Sequence, residues 1–266
     1  MQADNSIAMT QANQIRHQIQ FEGYTGSTSG LAPGMLQANI LILPEAYAQE
    51  FLLFCQLNLV SCPLIHVSKA GEFRLDKVGN GIDIRHHLPE YHIYENGEKT
   101  ASAYSIDDIW RDDFVVFVLG CSFSFEEALL GAGLEVRNIS TGRNVSMYKT
   151  NLSNQSAGRF SGNTVVSMRP FTPADAIRAI QITTRFPKAH GAPIHFGSPD
   201  AIGIHDLSQP DFGDAVDILP GEQPVFWACG VTSTVAALSA KPPICITHAP
   251  GKMLITDLTN GQLALS

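Results

Sequence analysis

The chain lacks any apolar run that approaches the about 20 residues of a membrane-spanning helix. Its first residues lack a charged segment followed by an apolar core, so no signal peptide is expected. Charged residues are sparse, at 16%, with 17 Lys and Arg against 25 Asp and Glu. A net charge of −8 without a basic run argues against nucleic acid and anionic membranes as partners.

Cysteine is also scarce, and its odd number without regular spacing excludes a disulfide framework. The five cysteines are Cys55, Cys62, Cys121, Cys229 and Cys245. They predict reduced thiols and a cytoplasmic location. The chain contains neither a phosphate-binding P-loop nor a dinucleotide fingerprint, and no histidine pair has the spacing of helical metal ligands. No cofactor and no metal are therefore predicted.

One stretch of the first half carries the strongest local pattern. Residues 114–119 form a continuous apolar run, which predicts a buried strand. A Gly120-Cys121-Ser122 turn follows, and then a helix whose start is predicted at Ser124, because Glu127 three residues later completes a capping-box pattern. A strand that turns directly into a helix presents free backbone N–H groups, which favour anions.

This pattern returns in the second half at residues 225–238, around Cys229. Four further segments recur in the same order, which predicts an internal duplication. The predicted fold is mixed α/β, with two pseudo-symmetric lobes that each contain one strand–Gly/Cys turn–helix unit. The predicted boundaries are one compact unit over 1–266, an N-terminal helix and Gly/Ser loop over 1–38, lobe 1 over 39–152 with an insertion at about 88–113, and lobe 2 over 164–258. Asn96-Gly97 predicts a hairpin turn within the insertion.

Eight short motifs together resemble the D-glutamate cyclase family, which is also described as a family of hydro-lyases. They are Gly30 to Gly34, Asp83 to Arg85, Gly120 to Glu126, Asn144 to Tyr148, Ser167 to Pro170, His190 to Pro193, Phe226 to Thr232 and Ile246 to Gly251. The resemblance extends from about residue 12 to about residue 260. It implies closure of D-glutamate to 5-oxo-D-proline with loss of water, but it supplies no catalytic residues.

The chemistry of such a cyclisation selects the candidate site residues. Water loss needs an acid, the amine needs a base, and the carboxylate needs hydrogen-bond donors. The predicted catalytic residues are Cys121, Cys229, His248 and Glu126, and the predicted substrate-binding residues are Arg85, Arg169, Ser122, Asn144 and Thr232. A thiol at a helix N-terminus is expected to have a lowered pKa, and an arginine after a strand can clamp a carboxylate. Buried packing roles for the cysteines and structural ion pairs for the arginines are the alternatives.

The predicted function is that of a hydro-lyase acting on a small amino acid or related carboxylic acid. The alternatives are a cofactor-independent racemase or epimerase, suggested by two cysteine turns in repeated halves, and a small-molecule binding protein without catalysis. The expected partner is a small carboxylate substrate, and the sequence leaves a homo-oligomer open. The site is expected in one pocket between the lobes, lined by both cysteine turns, Arg85, Arg169 and His248.

Overall fold

Two antiparallel sheets form the framework of the protein. The computed structural model describes residues 2–264, except for the side chains of residues 2–10 and 263. The strands are β1 Met35–Pro44, β2 Leu64–Val67, β3 Tyr91–Glu95, β4 Glu98–Ala103, β5 Phe114–Gly120, β6 Ser146–Ser153, β7 Asn163–Phe171, β8 His195–Phe196, β9 Gln223–Ala228, β10 Cys245–His248 and β11 Leu254–Thr259. The helices are α1 Gln2–Glu22, α2 Glu45–Leu57, α3 Phe123–Gly131, α4 Arg137–Ser140, α5 Pro173–Thr183, α6 Val231–Ser239 and α7 Asn260–Leu263.

The sheets differ in size but share an arrangement. The first has the order β2-β5-β1-β10-β3-β4, with β11 also paired to β1, and the second has the order β6-β7-β9-β8. In the first sheet β5 lies between β2 and β1, and in the second β9 lies between β8 and β7. The predicted mixed α/β class is confirmed.

The continuous apolar run of β5 is explained by burial on both faces of the first sheet. Val116 and Val118 face one hydrophobic cluster, whereas Phe117 and Leu119 face another, which also contains residues of α2 and α6. Because successive side chains of a strand point to opposite faces, a strand covered on both sides needs apolar residues at every position.

The two sheets exchange strands between the halves of the chain. β6 follows the first cysteine turn in sequence, but it pairs with β7 in the second sheet. β10 and β11 follow the second cysteine turn, but both pair with β1 in the first sheet. The lobes predicted over 39–152 and 164–258 therefore do not delimit the two sheets, because each half completes the sheet of the other.

The helices after the cysteine turns are exchanged in the same way. α3 leaves β5 of the first sheet and packs with Phe125 and Leu129 against Trp227 of the second. α6 leaves β9 of the second sheet and packs with Ala236 and Ala237 into the cluster on the first. Each cysteine turn therefore lies where the chain crosses from one sheet to the other, and the two crossings meet.

Two local predictions have different outcomes in the structure, one at a hairpin turn and one at a helix start. Asn96 and Gly97 have φ angles of 51° and 89°, as a tight hairpin turn between β3 and β4 requires. The predicted start of α3 at Ser124 is wrong by one residue. The Ser124 hydroxyl bonds the backbone of Gln37 in β1 and does not cap the helix. Within the described residues, no helix combines the length and apolarity needed to cross a membrane.

Candidate functional site

A small cavity lies where the two crossings meet. It has a volume of about 30 Å³ and is lined by both cysteine turns and by the loop after β10. Five of the predicted site residues line it, namely Cys121, Ser122, Cys229, His248 and Asn144, the last of them just before β6. Of the predicted pocket between the lobes, the structure thus brings together both cysteine turns and His248.

The two cysteine turns have matching backbone geometry. Ser122 and Gly230, which follow the two cysteines, have φ and ψ of −61° and −21° and of −58° and −21°. The first N–H of each helix, that of Phe123 or Val231, points at the thiol that precedes it. Each sulfur is thus held at the start of a helix, as the repeated pattern predicts.

Burial decides the protonation of both thiols. It raises the pKa of Cys121 and of Cys229 above the ordinary value, and the helix N–H groups offset this only in part. The expectation of a lowered thiol pKa at a helix N-terminus is therefore wrong here, because loss of water around the sulfur outweighs the nearby N–H groups. Both residues are protonated thiols near neutral pH and can act as acids.

His248 supplies a neutral imidazole to the same cavity. Its Nδ1 lies 3.1 Å from the Ile40 nitrogen and 3.3 Å from the Ile40 oxygen, so the backbone of β1 can bind either tautomer. Nε2 makes no hydrogen bond within the described part of the chain. Burial lowers the pKa of His248 to about 4, so the ring is uncharged at pH 7. The ring can both accept and donate a proton at Nε2.

Asn39 is a cavity residue that the sequence reasoning missed. Its Nδ2 donates a 2.6 Å hydrogen bond to the carbonyl of Gly120, immediately before Cys121. Its amide also fills the space beside Gly230, where an added Cβ would lie 2.1 Å from Nδ2. One side chain thus contacts both cysteine turns. The available signal was a polar residue at the start of a strand that is otherwise apolar over residues 40–43.

We predict that Gly230→Ala displaces Asn39 and breaks its bond to Gly120. The φ of Gly230 is −58°, so the cost comes from space and not from backbone strain. We expect a loss of about 1–3 kcal/mol in unfolding free energy, as is typical of overpacking. Urea denaturation measures it, with Ser122→Ala as the matched change in the other turn. The double variant Asn39→Ala/Gly230→Ala should recover much of the cost. An unaltered Gly230→Ala midpoint would contradict the contact.

Arg169 and Glu126 form a buried ion pair behind the first turn. Arg169 Nε donates to Glu126 Oε1 at 3.1 Å, while its two terminal nitrogens donate to the hydroxyls of Ser167 and Ser122, each at 3.1 Å. Both side chains are almost fully buried, at 1% and 3% exposure. Arg169 therefore does not line the cavity as predicted, but it holds Ser122, which does.

Arg85 and Thr232 lie outside the cavity. The guanidinium of Arg85 binds Asp83 and Asp107 and stacks on Phe73, 3.6 Å from the ring centroid. The Thr232 hydroxyl bonds the nitrogen and oxygen of Val165 in β7. Arg85 was predicted to follow a strand, but the structure has no strand in the described stretch between β2 and β3, only an isolated bridge between Arg74 and Asp83. The strand end that would place Arg85 beside a ligand is therefore absent.

Glu126 faces a second cavity, of about 80 Å³, beneath the Gly/Ser loop. Its walls include Gly30 to Gly34, Gln37 and Phe123, and Phe123 is shared with the cysteine cavity. The loop is anchored beside the cysteine cavity, because Thr28 donates its N–H to the carbonyl of Gly251 at 2.9 Å. The Gly/Ser loop thus lies next to the site.

The buried histidines make the fold acid-sensitive. His190 has an exposed fraction of only 1%, and its Nδ1 bonds the carbonyl of Val60 at 2.8 Å. Burial lowers its pKa to about 4, as for His248. The unfolded state binds a proton near pH 6.5, whereas the folded state does not until about pH 4. The contribution of these histidines to the free energy of unfolding is therefore fully present above pH 6.5 and is lost as the pH falls towards 4.

We predict that His190→Asn removes part of this sensitivity. The wild type should lose about 2 kcal/mol through His190 alone between pH 7 and pH 5. Asparagine tolerates the left-handed backbone of this position, where φ is 76°, and does not titrate. Urea denaturation at both pH values gives the comparison. Equal losses in the wild type and the variant would contradict the assignment.

Comparison with known proteins places this geometry in a family. The family model described as D-glutamate cyclase matches residues 115–257, which include both cysteine turns. A protein of Aliivibrio fischeri named "Putative hydro-lyase" is 58% identical over 95% of both chains. A protein of Shewanella woodyi, also named "Putative hydro-lyase", is 57% identical over 94% of this chain and 93% of its own length. A protein of Burkholderia orbicola with the same description is 53% identical over 95% of this chain and 98% of its own length. A nitrogen repressor-like structure from Methanococcus jannaschii gives a TM-score of 0.38 at 8% identity, over 89% of this chain and 90% of that one, too low to support an argument.

Proposed function

Because the chain belongs to the D-glutamate cyclase family, we propose that it removes water from a small amino acid in the cysteine cavity, with D-glutamate closed to 5-oxo-D-proline. The coarser assignment, a lyase of the hydro-lyase type, agrees with the names of its relatives. The observation that supports the finer one is the meeting of two protonated thiols and a neutral imidazole in one cavity.

The polar groups of the cavity suit an amino acid. Asn39 uses Nδ2 on the carbonyl of Gly120, so its Oδ1 remains as an acceptor for an ammonium group. Asn144 uses Oδ1 to accept from the N–H of Val145 at 3.0 Å, so its Nδ2 remains as a donor for a carboxylate. Acceptor and donor line the same cavity. We therefore assign substrate binding to these two amides and not to the predicted arginines, Arg85 and Arg169.

Ring closure assigns a role to each group. His248 Nε2 takes a proton from the substrate ammonium, and the freed amine attacks the distal carboxyl carbon. The Ser122 N–H is a donor for the resulting oxyanion, because the N–H groups of Phe123 and Ser124 already point at the sulfur and the carbonyl of Cys121. The Cys121 thiol protonates the departing hydroxyl, which leaves as water. The His248 imidazolium gives its proton to the carboxylate oxygen that becomes this hydroxyl, and the attacking nitrogen gives its second proton to the Cys121 thiolate, so both residues return to their starting states. A C–N bond forms and a C–O bond breaks.

Binding must enlarge the cavity. A volume of about 30 Å³ holds only a water molecule or two, and an amino acid needs several times more. Met147, Val231 and Met253 supply apolar wall, and methionine side chains repack easily. We therefore expect substrate to bind with rearrangement of these side chains, and substrate binding should raise the melting temperature.

The test is a turnover screen of D- and L-amino dicarboxylates followed by mass spectrometry and an amine assay. Cyclisation lowers the mass by one water and consumes the primary amine, whereas elimination of water from a hydroxy acid leaves the amine count unchanged. The L-isomer controls for spontaneous closure. D-glutamate turnover that depends on Cys121 supports the proposal, and a screen without enzyme-dependent water loss overturns it. Ligand-induced stabilisation without water loss would indicate the non-catalytic alternative.

A further inference from the structure

The hydrogen bonds around the two cysteine turns match pair by pair. The hydroxyl of Ser124, the second residue of α3, bonds the nitrogen and oxygen of Gln37 in β1. The hydroxyl of Thr232, the second residue of α6, bonds the nitrogen and oxygen of Val165 in β7 in the same manner. Both thiols are therefore positioned by the same set of constraints, one set from each sheet.

The crossing of the chain brings both thiols to the same cavity, one from each sheet. Cys121 follows the end of β5 and precedes a helix that covers the second sheet, whereas Cys229 follows β9 and precedes a helix that covers the first. Both belong to one hydrophobic cluster with Met147 and Met253, and both line the cavity. A ligand in this cavity meets one thiol from each sheet.

Two further side chains add polar groups to the cavity. Asn39 and His248 have exposed fractions of 3% and 7%, and both line the cavity. Neither Asn39 Oδ1 nor His248 Nε2 makes a hydrogen bond among the residues that the structure describes. Both atoms therefore remain available to a ligand with donor and acceptor groups.

We propose that Cys121 and Cys229 form a two-thiol acid–base pair that exchanges the α-hydrogen of a bound amino acid with solvent and inverts its configuration. This proposal rests on the proposed function for the location of the site, but it does not depend on the cyclisation reaction.

Both residues are protonated at rest, so the exchange step begins when one thiol gives its proton to Nε2 of the neutral His248 and becomes the thiolate, while the other remains a thiol. The thiolate takes the proton from Cα, so an S–H bond forms and the C–H electron pair passes into the carboxylate-stabilised carbanion. The opposite thiol returns its proton to the other face of Cα and becomes the thiolate. Solvent then restores the protons, and neither an oxidant nor a reductant is needed. Donation from Asn144 Nδ2 to the carboxylate stabilises the carbanion.

The surroundings of the two thiols differ, which makes the two directions distinguishable. The buried Arg169–Glu126 pair lies behind the Cys121 turn, whereas the Cys229 sulfur contacts the Met147 sulfur at 3.4 Å. Arg169 is close to both thiols, but Cys121 also has the Glu126 carboxylate nearby, whereas Cys229 contacts the thioether of Met147. We expect each single variant to retain exchange for one enantiomer only, the one whose α-hydrogen faces the remaining thiol.

Proton NMR in D₂O tests the proposal, because exchange replaces the α-hydrogen by deuterium and its signal disappears. The substrates are the D- and L-forms of glutamate, aspartate and alanine. The wild-type protein should exchange both enantiomers of at least one of these amino acids. Cys121→Ser and Cys229→Ser should each lose inversion by at least about 10²-fold, as is typical when a general acid or base is removed. Cys245→Ser is the matched control, because Cys245 is a buried thiol in β10 outside the cavity.

Failure of the proposal can be separated from failure of the cyclase function. Cyclisation breaks no C–H bond, so α-hydrogen exchange reports on the thiol pair alone. Cyclisation without exchange in any of the six amino acids would overturn the thiol pair and leave the cyclase function intact. Exchange that persists at the wild-type rate in the double variant Cys121→Ser/Cys229→Ser would also overturn it. Exchange of the α-hydrogen without loss of water would support the thiol pair and contradict the proposed cyclase function.

Discussion

Cys121→Ser is expected to lower the rate of water loss by about 10²–10⁴-fold while leaving the fold intact. Serine is close to cysteine in volume, so the cavity wall keeps its shape. Its hydroxyl is a much weaker acid than a thiol, so the departing hydroxide must leave without a proton from this position. We expect kcat to fall, whereas the ligand concentration needed to stabilise the protein against unfolding should change little.

Cys245→Ser controls for the general effect of replacing a buried thiol. This residue shares the cluster of Phe51 and Phe117 and does not line the cysteine cavity. It should cost stability without lowering kcat. If Cys121→Ser turns over at the parental rate, the thiol is a packing residue, and Cys229 and His248 are the remaining proton donors to test in the cavity.

Glu126→Leu is expected to destabilise the protein by about 3–5 kcal/mol, because it leaves the Arg169 guanidinium buried without a counter-charge. Arg169 would keep only the hydroxyls of Ser122 and Ser167 as partners. The double variant Glu126→Leu/Arg169→Met should recover most of the loss, since a well-packed apolar pair can replace a buried ion pair. Chemical denaturation of the three variants and the wild type measures the coupling.

Glu50→Leu is the matched control for this prediction. Glu50 binds Arg159 in a similar geometry, but the two side chains have exposed fractions of 35% and 41%. Water can replace the lost partner there, so the loss of stability should be much smaller. Equal losses for Glu126→Leu and Glu50→Leu would show that burial of the Arg169 pair has no energetic consequence.

Local patterns predicted the parts of the site that depend on short stretches of chain. The apolar runs of β5 and β9, the turns at Cys121 and Cys229 and the helices after them all follow from residues close in sequence. The meeting of the two turns followed from their repetition. These features need only strand burial, glycine-containing turns and helix starts, and each of these leaves a pattern within about ten residues.

The partners of buried polar groups were beyond reach of the sequence. Arg169 was expected to bind substrate, but α3 crosses to the second sheet and brings Glu126 to it. Asn39 stands before the apolar run of residues 40–43, and nothing in that stretch indicates that its amide contacts both turns. In both cases the decisive contact joins positions more than 40 residues apart, and it exists only because strands and helices change sheets. No local pattern records such a crossing.

The exchange of strands between the halves also governs how this chain can be made. β1 is complete once residue 44 has been synthesised, but its partner β11 begins only at Leu254. Until then the growing chain has a strand edge with unpaired N–H and C=O groups, which is a surface that recruits other strands. Folding of the first half therefore waits for the last residues of the second. Such non-local pairing makes folding slow and exposes the nascent chain to aggregation, so its yield in the cell should depend on chaperones.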